Sequence, residues 1–442
     1  MTTNPPQKTI VIIGGGIIGS TTAYYLTRHA AYNPALHKIH LIEATAIASG
    51  ASGKAGGLLA LWAYPSCLVP LSFKLHAELA REHGGAERWG YRGVGVGSID
   101  LVGRKVDGEG KGGSVNGGKG HGEDTRGLHR PDVSSDGNVD VNARVSLQKR
   151  SKESYARLRK AGLPDDLDWV ADETVRAYES MGSPEDTAQV HPYQFTTSMV
   201  QLAEEKGLNV ILGSATEIID DACHSSEGGT HTHTVKYTDK ATGTARELSA
   251  TDVIVTAGPW TSTILPSAPI GSLRAHSVTI KPTRPVSAYC LFTSISLPKN
   301  FKTGSPSRAM TVTPEIYARP KGEIYACGEG DHLAPLPAST AEVAVDDARC
   351  QDIIDYCASF SDEIRDGDVT VRQACYLPQV EGAVAGPLVG RTKRDGVFLA
   401  AGHTCWGIQN GPATGMLMSE FVFDGEARSA RVAGLDPKRA GC

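Results

Sequence analysis

The chain contains no apolar run that approaches the ~20 residues needed to span a lipid bilayer, so we predict no transmembrane segment. It also lacks a basic surplus, because 44 Lys and Arg against 49 Asp and Glu give a net charge of 44 − 49 = −5, which argues against a nucleic-acid binder. Residues 1–8 have neither the apolar core of a secretory signal nor Arg-rich transit character, and the last three residues are not a peroxisomal signal. These absences favour a cytoplasmic location.

Disulfide patterns and aromatic residues are also scarce. The nine cysteines are odd in number and never spaced as CxxC, which favours a reduced chain over a disulfide scaffold. Aromatic residues make up only 6%, whereas there are 50 glycines. Part of the glycine excess lies in residues 103–137, which contain no Phe, Trp or Tyr. We predict a flexible surface insertion there, because such a segment buries too little apolar surface to offset its ordering entropy.

The 442 residues are enough for two domains, and the first of these begins with a βαβ unit. A β-branched run at 9–13 predicts a buried strand, small and apolar residues at 17–29 predict a helix, and residues 38–43 predict the next strand. Such a unit predicts a parallel sheet with a right-handed crossover. Residues 49–61 are expected to form a small-residue loop.

Further elements follow the same reasoning. Residues 270–330 alternate strand-like segments with Pro and Gly turns, which predicts a mixed or antiparallel sheet separate from the first. Other strands are predicted at 98–102, 208–212, 234–237, 251–256 and 397–401, and helices at 68–79, 146–161, 195–206, 346–360 and 411–423.

The strongest chemical signal is a GxGxxG motif formed by Gly14, Gly16 and Gly19. The first glycine permits a tight turn, the second lets a pyrophosphate approach the backbone, and the third lets helix and strand pack closely. The helix N-terminus then offers N–H groups and a positive dipole end to phosphates. Glu43 ends the next strand, where an acid is expected to bind an unphosphorylated ribose. FAD or NAD is therefore favoured over NADP.

Two later motifs are less specific. Residues 250–260 form a buried strand that ends in Ala257-Gly258, which indicates a close backbone approach but also fits an ordinary turn. In residues 401–415 a strand and a small loop precede a helix that we expect to carry Pro412 in its first turn. The N-terminus of that helix can face negative charge, such as the anion that develops on a reduced flavin.

In this order, the three motifs resemble the D-amino-acid oxidase/glycine oxidase superfamily of FAD-dependent oxidoreductases. Residues 12–60 most resemble a fungal group of oxidoreductase-like proteins linked to endosome-to-Golgi trafficking. The resemblance implies an α/β fold with a Rossmann-like FAD-binding domain on a parallel sheet and a substrate domain on a mixed or antiparallel sheet. The FAD-binding domain would comprise residues 8–65, 185–268 and 372–442, and the substrate domain residues 66–184 and 269–371.

The resemblance also implies residue roles. The pyrophosphate would be held at the first helix, the ribose by an acid, the adenine by a backbone group, and the flavin by the later loops. Under this interpretation the cofactor-binding residues are Gly14, Gly16, Ile18, Gly19, Glu43, Ser52, Gly53, Lys54, Gly57, Leu58, Ile218, Ala257, Gly258, Trp260, Cys375, Gly402, His403, Trp406, Gly407 and Ile408.

One departure concerns the substrate. Amino-acid oxidases of the family carry an arginine in a Gly-Leu-Arg-Pro run, where it binds the substrate carboxylate. Here Leu377 occupies that position, after Tyr376, and leucine cannot pair with a carboxylate. Tyr317 and Arg319 lie two apart on a predicted strand and so face one side. They either orient the substrate or belong to a surface strand with an exposed arginine.

Other candidates also carry two interpretations. Cys375 falls where the sarcosine-oxidase branch links its flavin covalently, although it also fits a small buried cysteine. His403 is either a general base or a loop histidine bonded to backbone. His231 and His233 lack further metal ligands, and we predict no metal site. Lys54 does not belong to a P-loop, because Ala48 and Ala55 replace the glycine and the Ser/Thr that the motif requires.

The predicted reaction is oxidation of a C–N bond in an amine or amino-acid-like substrate by hydride transfer to flavin N5. Dioxygen or another acceptor would take the electrons, and dioxygen would yield hydrogen peroxide. The predicted catalytic residues are Tyr317, Arg319, Tyr376 and His403. Two alternatives stay open: a flavin-binding trafficking protein with little turnover, and an NAD(P)H-using reductase, for which the sequence offers no second GxGxxG after a strand.

Overall fold

The computed structural model describes residues 7–106, 161–221, 232–302 and 308–442. Its strands are, in chain order, β1 (Lys8–Ile13), β2 (His37–Glu43), β3 (Leu58–Ala60), β4 (Arg92–Gly93), β5 (Gly95–Val102), β6 (Val175–Gly182), β7 (Thr187–Gln189), β8 (Leu208–Asp220), β9 (His233–Asp239), β10 (Ala245–Ala250), β11 (Asp252–Val255), β12 (Ile270–Lys281), β13 (Tyr289–Leu297), β14 (Met310–Val312), β15 (Glu315–Arg319), β16 (Glu323–Cys327), β17 (Asp368–Val380), β18 (Leu388–Arg391) and β19 (Val397–Ala401). Its α-helices are α1 (Ile17–Leu26), α2 (Val69–His83), α3 (Gly85–Trp89), α4 (Pro192–Glu204), α5 (Thr261–Ile264), α6 (Asp347–Ala358), α7 (Asp362–Arg365) and α8 (Gly407–Phe423).

The first sheet has eight strands in the order β10-β9-β8-β2-β1-β11-β19-β18. Its five central strands, from β8 to β19, run parallel, and β9, β10 and β18 add antiparallel edges. The strand β1 is apolar at every position from Ile10 to Ile13 and is buried there, as expected for a parallel strand that is covered on both faces. β1 lies between β2 and β11, so the strand order reverses beside it, and ligands bind at such a point in open α/β sheets.

The helices α1 and α8 pack closely against each other because small residues of each helix lie at their contact. The hydroxyl of Thr21 in α1 donates to the Gly411 carbonyl of α8 over 2.8 Å. A Cβ added to Gly415 would lie 2.5 Å from the Thr21 carbonyl carbon, a separation that no side chain tolerates. The glycines of α8 therefore let its backbone lie directly on the helix that follows the GxGxxG motif.

The second sheet has the strand order β17-β12-β16-β15-β13-β5-β6, with β14 paired to β13. Its pairs are antiparallel except for β13 with β5. The prediction of a mixed or antiparallel sheet over residues 270–330 is thereby confirmed. A small third sheet, β3-β7-β4, includes part of the segment 49–61 that we predicted to be a loop.

The division into two domains stays a prediction, but one boundary needs correction. We placed residue 372 at the start of the last cofactor-binding segment, whereas β17 runs from Asp368 to Val380 and pairs along its length with β12 of the second sheet. The boundary therefore falls inside a hydrogen-bonded strand. Because β17 is long, its last residue, Val380, still packs against the apolar cluster of the first sheet.

The last helix begins four residues earlier than predicted. It starts at Gly407, so Pro412 lies inside it rather than in its first turn. Proline has no N–H to donate to the carbonyl four residues before it, which here is that of Ile408. The Nε2 of His76 in α2 lies 2.9 Å from this carbonyl oxygen and replaces the missing partner. This tertiary bond explains why the helix continues through the proline.

The predicted insertion is described only at its beginning. Residues 103–106 belong to the packed structure: Gly103 donates to the Ser296 carbonyl, and Arg104 pairs with Glu173 and Asp362. Residues 107–137, His231 and the helix predicted at 146–161, apart from its last residue, lie outside the described residues. Within the described parts of the chain, no helix is both long and apolar enough to cross a membrane.

Candidate active site

A large cavity lies at the carboxyl ends of the parallel strands. Its empty volume of about 1260 Å³ includes space that is open to solvent. Every parallel strand contributes a residue to the lining. Four of these residues lie close to the end of their strand, and they are Ile13, Ile42, Thr256 and Ala401. The longer strand β8 contributes Gly213 from within its length. The cavity therefore occupies the place where the strand order reverses.

The GxGxxG motif forms one wall through its backbone. Gly14 has φ +110°, and a Cβ there would lie 2.5 Å from the Thr256 carbonyl oxygen. A Cβ on Gly19 would lie only 2.0 Å from the Gly14 carbonyl oxygen, which matches the helix–strand packing role predicted for the third glycine. Gly14, Gly16 and Ile18 line the cavity, whereas Gly19 lies behind it.

The N-terminus of α1 is suited to an anion. Gly16 caps it without a side-chain hydrogen bond, and its first turn contains no acidic residue. Ser52, from a short 3-10 helix, accepts from the Ile17 amide over 2.9 Å and also lines the cavity. The positive end of the helix dipole and the remaining amide groups are therefore available to phosphate oxygens.

Glu43 lies at the end of β2, where the sequence predicted a ribose-binding acid. Its two carboxylate oxygens accept from the amides of Gly15 and Thr45, each over 2.8 Å. These bonds fix the side chain beside the glycine turn. Each oxygen has a second lone pair with which to accept from a hydroxyl group, and Glu43 lines the cavity.

The opposite wall comes from two later loops. Ala257, Gly258 and Trp260 follow β11, and the Trp260 Nε1 donates to the Pro337 carbonyl over 2.6 Å. Thr404 follows β19 and has φ +51°, which is unusual for a β-branched residue and indicates local strain. Gly402, His403, Gly407 and Ile408 line the same end of the cavity.

His403 is buried, and its Nε2 lies 3.0 Å from the Thr414 hydroxyl. Its Nδ1 is buried without a hydrogen-bond partner among the described residues. Burial lowers the pKa of His403 to about 3, so the ring is neutral at pH 7. An imidazole with so low a pKa is a weak proton acceptor, so His403 fits a positioning role better than that of a general base.

Several predicted cofactor residues do not line this cavity. Ile218 is the clearest case: its carbonyl accepts from Arg394 over 3.0 Å, and β8 reaches the cavity with Gly213, Ser214 and Ala215 instead. Because β8 extends far beyond the predicted strand end at 212, Ile218 is carried past the site. The others, which lie behind the wall or beside it, are Gly19, Gly53, Lys54, Gly57, Leu58, Cys375 and Trp406.

Lys54 and Cys375 lie close together behind the wall. The Lys54 ammonium donates to the Ala374 carbonyl over 2.9 Å, and burial lowers its pKa. Burial raises the pKa of the Cys375 thiol to about 11. The cysteine is therefore a protonated, buried thiol near pH 7, which favours the structural interpretation of this residue over a flavin link.

The side chains predicted to bind the substrate already have partners within the protein. Arg319 is only 4% exposed, pairs with Glu323 over 3.0 Å, and lies 5.3 Å from the centroid of the Tyr325 ring. It is neither an exposed surface arginine nor a cavity-lining group. Tyr317 faces the same side, as predicted, because its ring is 5.7 Å from that of Tyr325. The Tyr317 hydroxyl donates to Glu315.

Tyr376 supports the cavity from behind. Its hydroxyl donates to the carbonyls of Ala334 and Pro335, the latter over 2.8 Å. The segment that follows contributes Ala338, Ser339 and Thr340 to the cavity lining. Leu377, the residue in the arginine position, lines the cavity directly.

Sequence reasoning missed Glu315, Trp62 and Phe292, although it named Tyr317 and Trp406. Glu315 lies two positions before Tyr317, so the period of a strand was sufficient to place it on the same face. Trp62, Phe292 and Trp406 complete a group of rings that comes from three distant segments, and no local pattern connects them.

The comparisons with known proteins agree with this geometry. Residues 9–421 match the DAO family, described as FAD dependent oxidoreductase. The Saccharomyces cerevisiae protein named "Putative oxidoreductase TDA3" is 35% identical, with 98% of this chain and 94% of that protein covered. A Schizosaccharomyces pombe protein with a similar oxidoreductase name is 32% identical, with 98% of each chain covered. The crystal structure of glycine oxidase from Geobacillus kaustophilus has a TM-score of 0.63 at 18% identity, with 98% of this chain and 99% of that chain covered.

The fold and the cavity are thus those of an FAD-dependent oxidoreductase. The chain belongs to the DAO family of FAD-dependent oxidoreductases, and FAD is its cofactor. Its residues fit that group, because glycines whose Cβ atoms would clash form the wall at a free helix N-terminus, and a buried His403 nitrogen without a partner lies at the far end.

Proposed function

We propose that this protein oxidises a C–N bond of an amine or amino-acid-like substrate. Bound FAD supplies a hydride acceptor at N5, so that the substrate leaves as an imine that water hydrolyses, and dioxygen as final acceptor yields hydrogen peroxide. One observation carries the proposal. The cavity at the α1 N-terminus continues to Gly402–Ile408, next to the face of the second sheet that bears Tyr317.

The cofactor would be held mainly by backbone groups. Gly14, Gly16 and Ile18 would contact the pyrophosphate, with Ser52 fixing the first helical turn through the Ile17 amide. Glu43 would accept from the ribose hydroxyls. In place of Ile218, we assign Ser214 and Ala215 to the adenine side, because they line the cavity.

The flavin side would be shaped by the later loops. Ala257, Gly258 and Trp260 would line one side, and Gly402, His403, Gly407 and Ile408 the other. The N-terminus of α8 turns its positive dipole end to this part of the cavity, where it would stabilise negative charge. Tyr376 would act as a positioning residue through the carbonyls of Ala334 and Pro335.

The decisive test is anaerobic reduction of the flavin-loaded protein by a panel of amines and amino acids, followed by peroxide measurement in air. We expect at least one compound to bleach the flavin absorbance and to release peroxide. A panel that never bleaches the flavin, in protein that binds FAD, would contradict the proposal. Bleaching without peroxide would retain C–N oxidation but replace dioxygen with another acceptor.

The ribose assignment has its own test. Glu43→Gln removes the charge that accepts from two amides, so we expect FAD to bind about 10-fold to 100-fold more weakly. The exposed Glu217→Gln on β8 is the matched control. Equal FAD affinities for the two variants would remove Glu43 from the site.

The same flavin-bleaching measurements distinguish the proposal from two alternative functions. A trafficking role with little turnover rests on the fungal resemblance and predicts FAD binding without bleaching by any amine. An NAD(P)H-using reductase predicts rapid bleaching by NADH or NADPH. We also propose a cytoplasmic location, which the unpaired state of the eight described cysteines supports.

A further inference from the structure

The substrate side of the second sheet carries a carboxylate among aromatic rings. In antiparallel pairing, directly opposite residues share a face, so Glu315 lies on one face with Phe292 of β13 and Cys327 of β16. Tyr317 shares this face, two positions further along the strand. Its hydroxyl donates to the Glu315 carboxylate, which orients the carboxylate.

Aromatic rings continue from this face to the solvent. Phe292 lies 6.4 Å from Tyr317 and 6.0 Å from Trp62, measured between ring centroids. Trp62 lies 5.5 Å from Trp406, which in turn lies 6.0 Å from Tyr64. Trp62 is 39% exposed and Tyr64 54% exposed. The rings therefore form a wall that is open at one end, which we call the aromatic wall (Tyr64, Trp406, Trp62, Phe292 and Tyr317).

The aromatic wall meets the cofactor cavity at the loop after β19. Thr404 and Cys405 line that cavity, and the Cys405 sulfur is 3.8 Å from the Tyr64 hydroxyl. Burial raises the pKa of Cys405, and the negative charge of Glu315 contributes to the same shift. The aromatic wall therefore connects the face that bears Glu315 with the cavity, because Trp406 lies in the chain between the lining residues Cys405 and Gly407.

Most positive groups near this face have partners, but Arg92 forms no ion pair with a described acid and its Nε is buried without a hydrogen-bond partner among the described residues. Arg319 pairs with Glu323, and Leu377 occupies the position of the family's carboxylate-binding arginine. Arg92 donates through Nη2 to the Ala318 carbonyl over 2.7 Å and to Gln189. Lys54 donates to the Ala374 carbonyl. A substrate carboxylate would therefore meet the Glu315 carboxylate on this face, and of the cations named here only Arg92 lacks a charged or fully satisfying partner.

We propose that this face binds the substrate as a cationic amine, with Glu315 pairing with the ammonium group and the aromatic wall enclosing its substituent. The inference rests on the proposed function and narrows its substrate to amines without an α-carboxylate. Aromatic faces attract cations through their quadrupoles, and a partly desolvated carboxylate forms a strong charge-assisted hydrogen bond.

Glu315 would also hold the proton that the ammonium must lose. In that transfer R–NH₃⁺ and the Glu315 carboxylate become R–NH₂ and the Glu315 carboxylic acid, and no other reactant is needed. Burial raises the pKa of Glu315, which makes its carboxylate a better proton acceptor than an exposed one. Glu315 would thus bind the charged amine and supply the neutral form that oxidation requires.

Binding can be tested without turnover. Flavin-loaded protein is titrated calorimetrically with benzyltrimethylammonium, which has no oxidisable N–H, and with phenylacetate as the anionic counterpart. We expect the cation to bind more tightly than the anion. Glu315→Gln should weaken cation binding about 10-fold to 100-fold, whereas the exposed Glu179→Gln on β6 of the same sheet should leave it unchanged.

Turnover is tested with matched pairs that differ only in the α-carboxylate, such as phenethylamine with phenylalanine and isobutylamine with valine. We expect the amine of a pair to bleach the flavin faster, and Glu315→Gln to raise KM for that amine more than it lowers kcat. If the cation binds but no amine is oxidised, the cation site stands and the proposed reaction fails.

Three results would overturn the cation site itself. The first is that neither probe binds. The second is that Glu315→Gln leaves cation binding unchanged. The third is that phenylacetate binds more tightly than the cation and Arg92→Gln abolishes its binding, because Arg92 would then be the carboxylate ligand.

Discussion

The two sides of the cavity are built from different material. On the side of the first sheet, the wall is backbone: glycines of the GxGxxG motif and the N-terminus of α1, with Glu43 held by two amides. On the side of the second sheet, side chains such as Leu377 of β17 line the cavity, and Glu315, Phe292 and Tyr317 lie on a face beyond that lining. A backbone wall suits a cofactor that every member of the family shares, whereas a side-chain wall can change with the substrate.

The largest effect that we expect tests the backbone wall. Gly14→Ala places a Cβ 2.5 Å from the Thr256 carbonyl at φ +110°, and we expect loss of bound FAD together with about 4 kcal/mol of stability. Flavin absorbance and urea unfolding measure the two effects. Gly243→Ala is the control, because Gly243 also has positive φ, +67°, but nothing within 4 Å. If both variants lose the same stability, the positive φ, and not the close approach of the Thr256 carbonyl, explains why residue 14 is a glycine.

The two sides of the cavity also differ in how far the sequence alone could predict them. The spacing from Gly14 to Glu43 lies within one βαβ unit, and the strand and helix signals around it were sufficient to predict that the two residues lie together, as they do in the cavity lining. Ile218 does not line the cavity, and nothing in the sequence marks how far β8 extends beyond residue 212. Strand periodicity could have placed Glu315 beside Tyr317, but Trp62 and Phe292 come from distant segments that no local pattern connects.

Arg319 is a second case in which a pattern within one segment does not reveal a contact with another segment. Strand periodicity placed it correctly beside Tyr317, but its partner Glu323 lies across the turn to β16. The pattern of one strand does not reveal an ion pair with the next, and the choice between an exposed arginine and a substrate ligand was therefore made without the group that decides it.

The second prediction tests whether Arg319 belongs to the substrate wall. Glu323→Gln leaves the guanidinium buried without its charged partner, so we expect a loss of about 3 kcal/mol of stability in urea unfolding. KM for the best amine should not change. A variant of normal stability with an altered KM would mean that Arg319 binds substrate.

The third prediction concerns two buried histidines on the first sheet's side. Burial lowers the pKa of His403 to about 3 and that of His76 to about 4, from an ordinary value of 6.5. Below pH 6.5 the unfolded chain takes up these protons before the folded protein does. Stability is therefore intact above pH 6.5 and lost as the pH falls, by about 2 kcal/mol for each histidine near pH 5.

Urea unfolding at several pH values measures this loss. His76→Gln removes one of the two groups and can still donate to the Ile408 carbonyl, so the pH dependence should become shallower. The exposed His332→Gln is the control. An unchanged slope in His76→Gln would show that other groups cause the acid sensitivity.

The smallest effect is expected at Cys375. The thiol does not line the cavity, and burial raises its pKa to about 11, so we expect Cys375→Ala to retain FAD and activity nearly unchanged. After acid denaturation, the precipitated wild-type protein should be colourless. Colour that remains on the wild-type chain and is lost in Cys375→Ala would establish a covalent flavin link.

The proline in the last helix ties together parts of the molecule that lie far apart in the chain. Pro412 leaves the Ile408 carbonyl without its usual helical donor, and His76 of α2 provides the replacement. Ile408 lines the cavity, so that carbonyl cannot swing without breaking its bond to α2. A change in α2, although it forms no part of the cavity lining, is therefore transmitted to the cavity wall at Ile408.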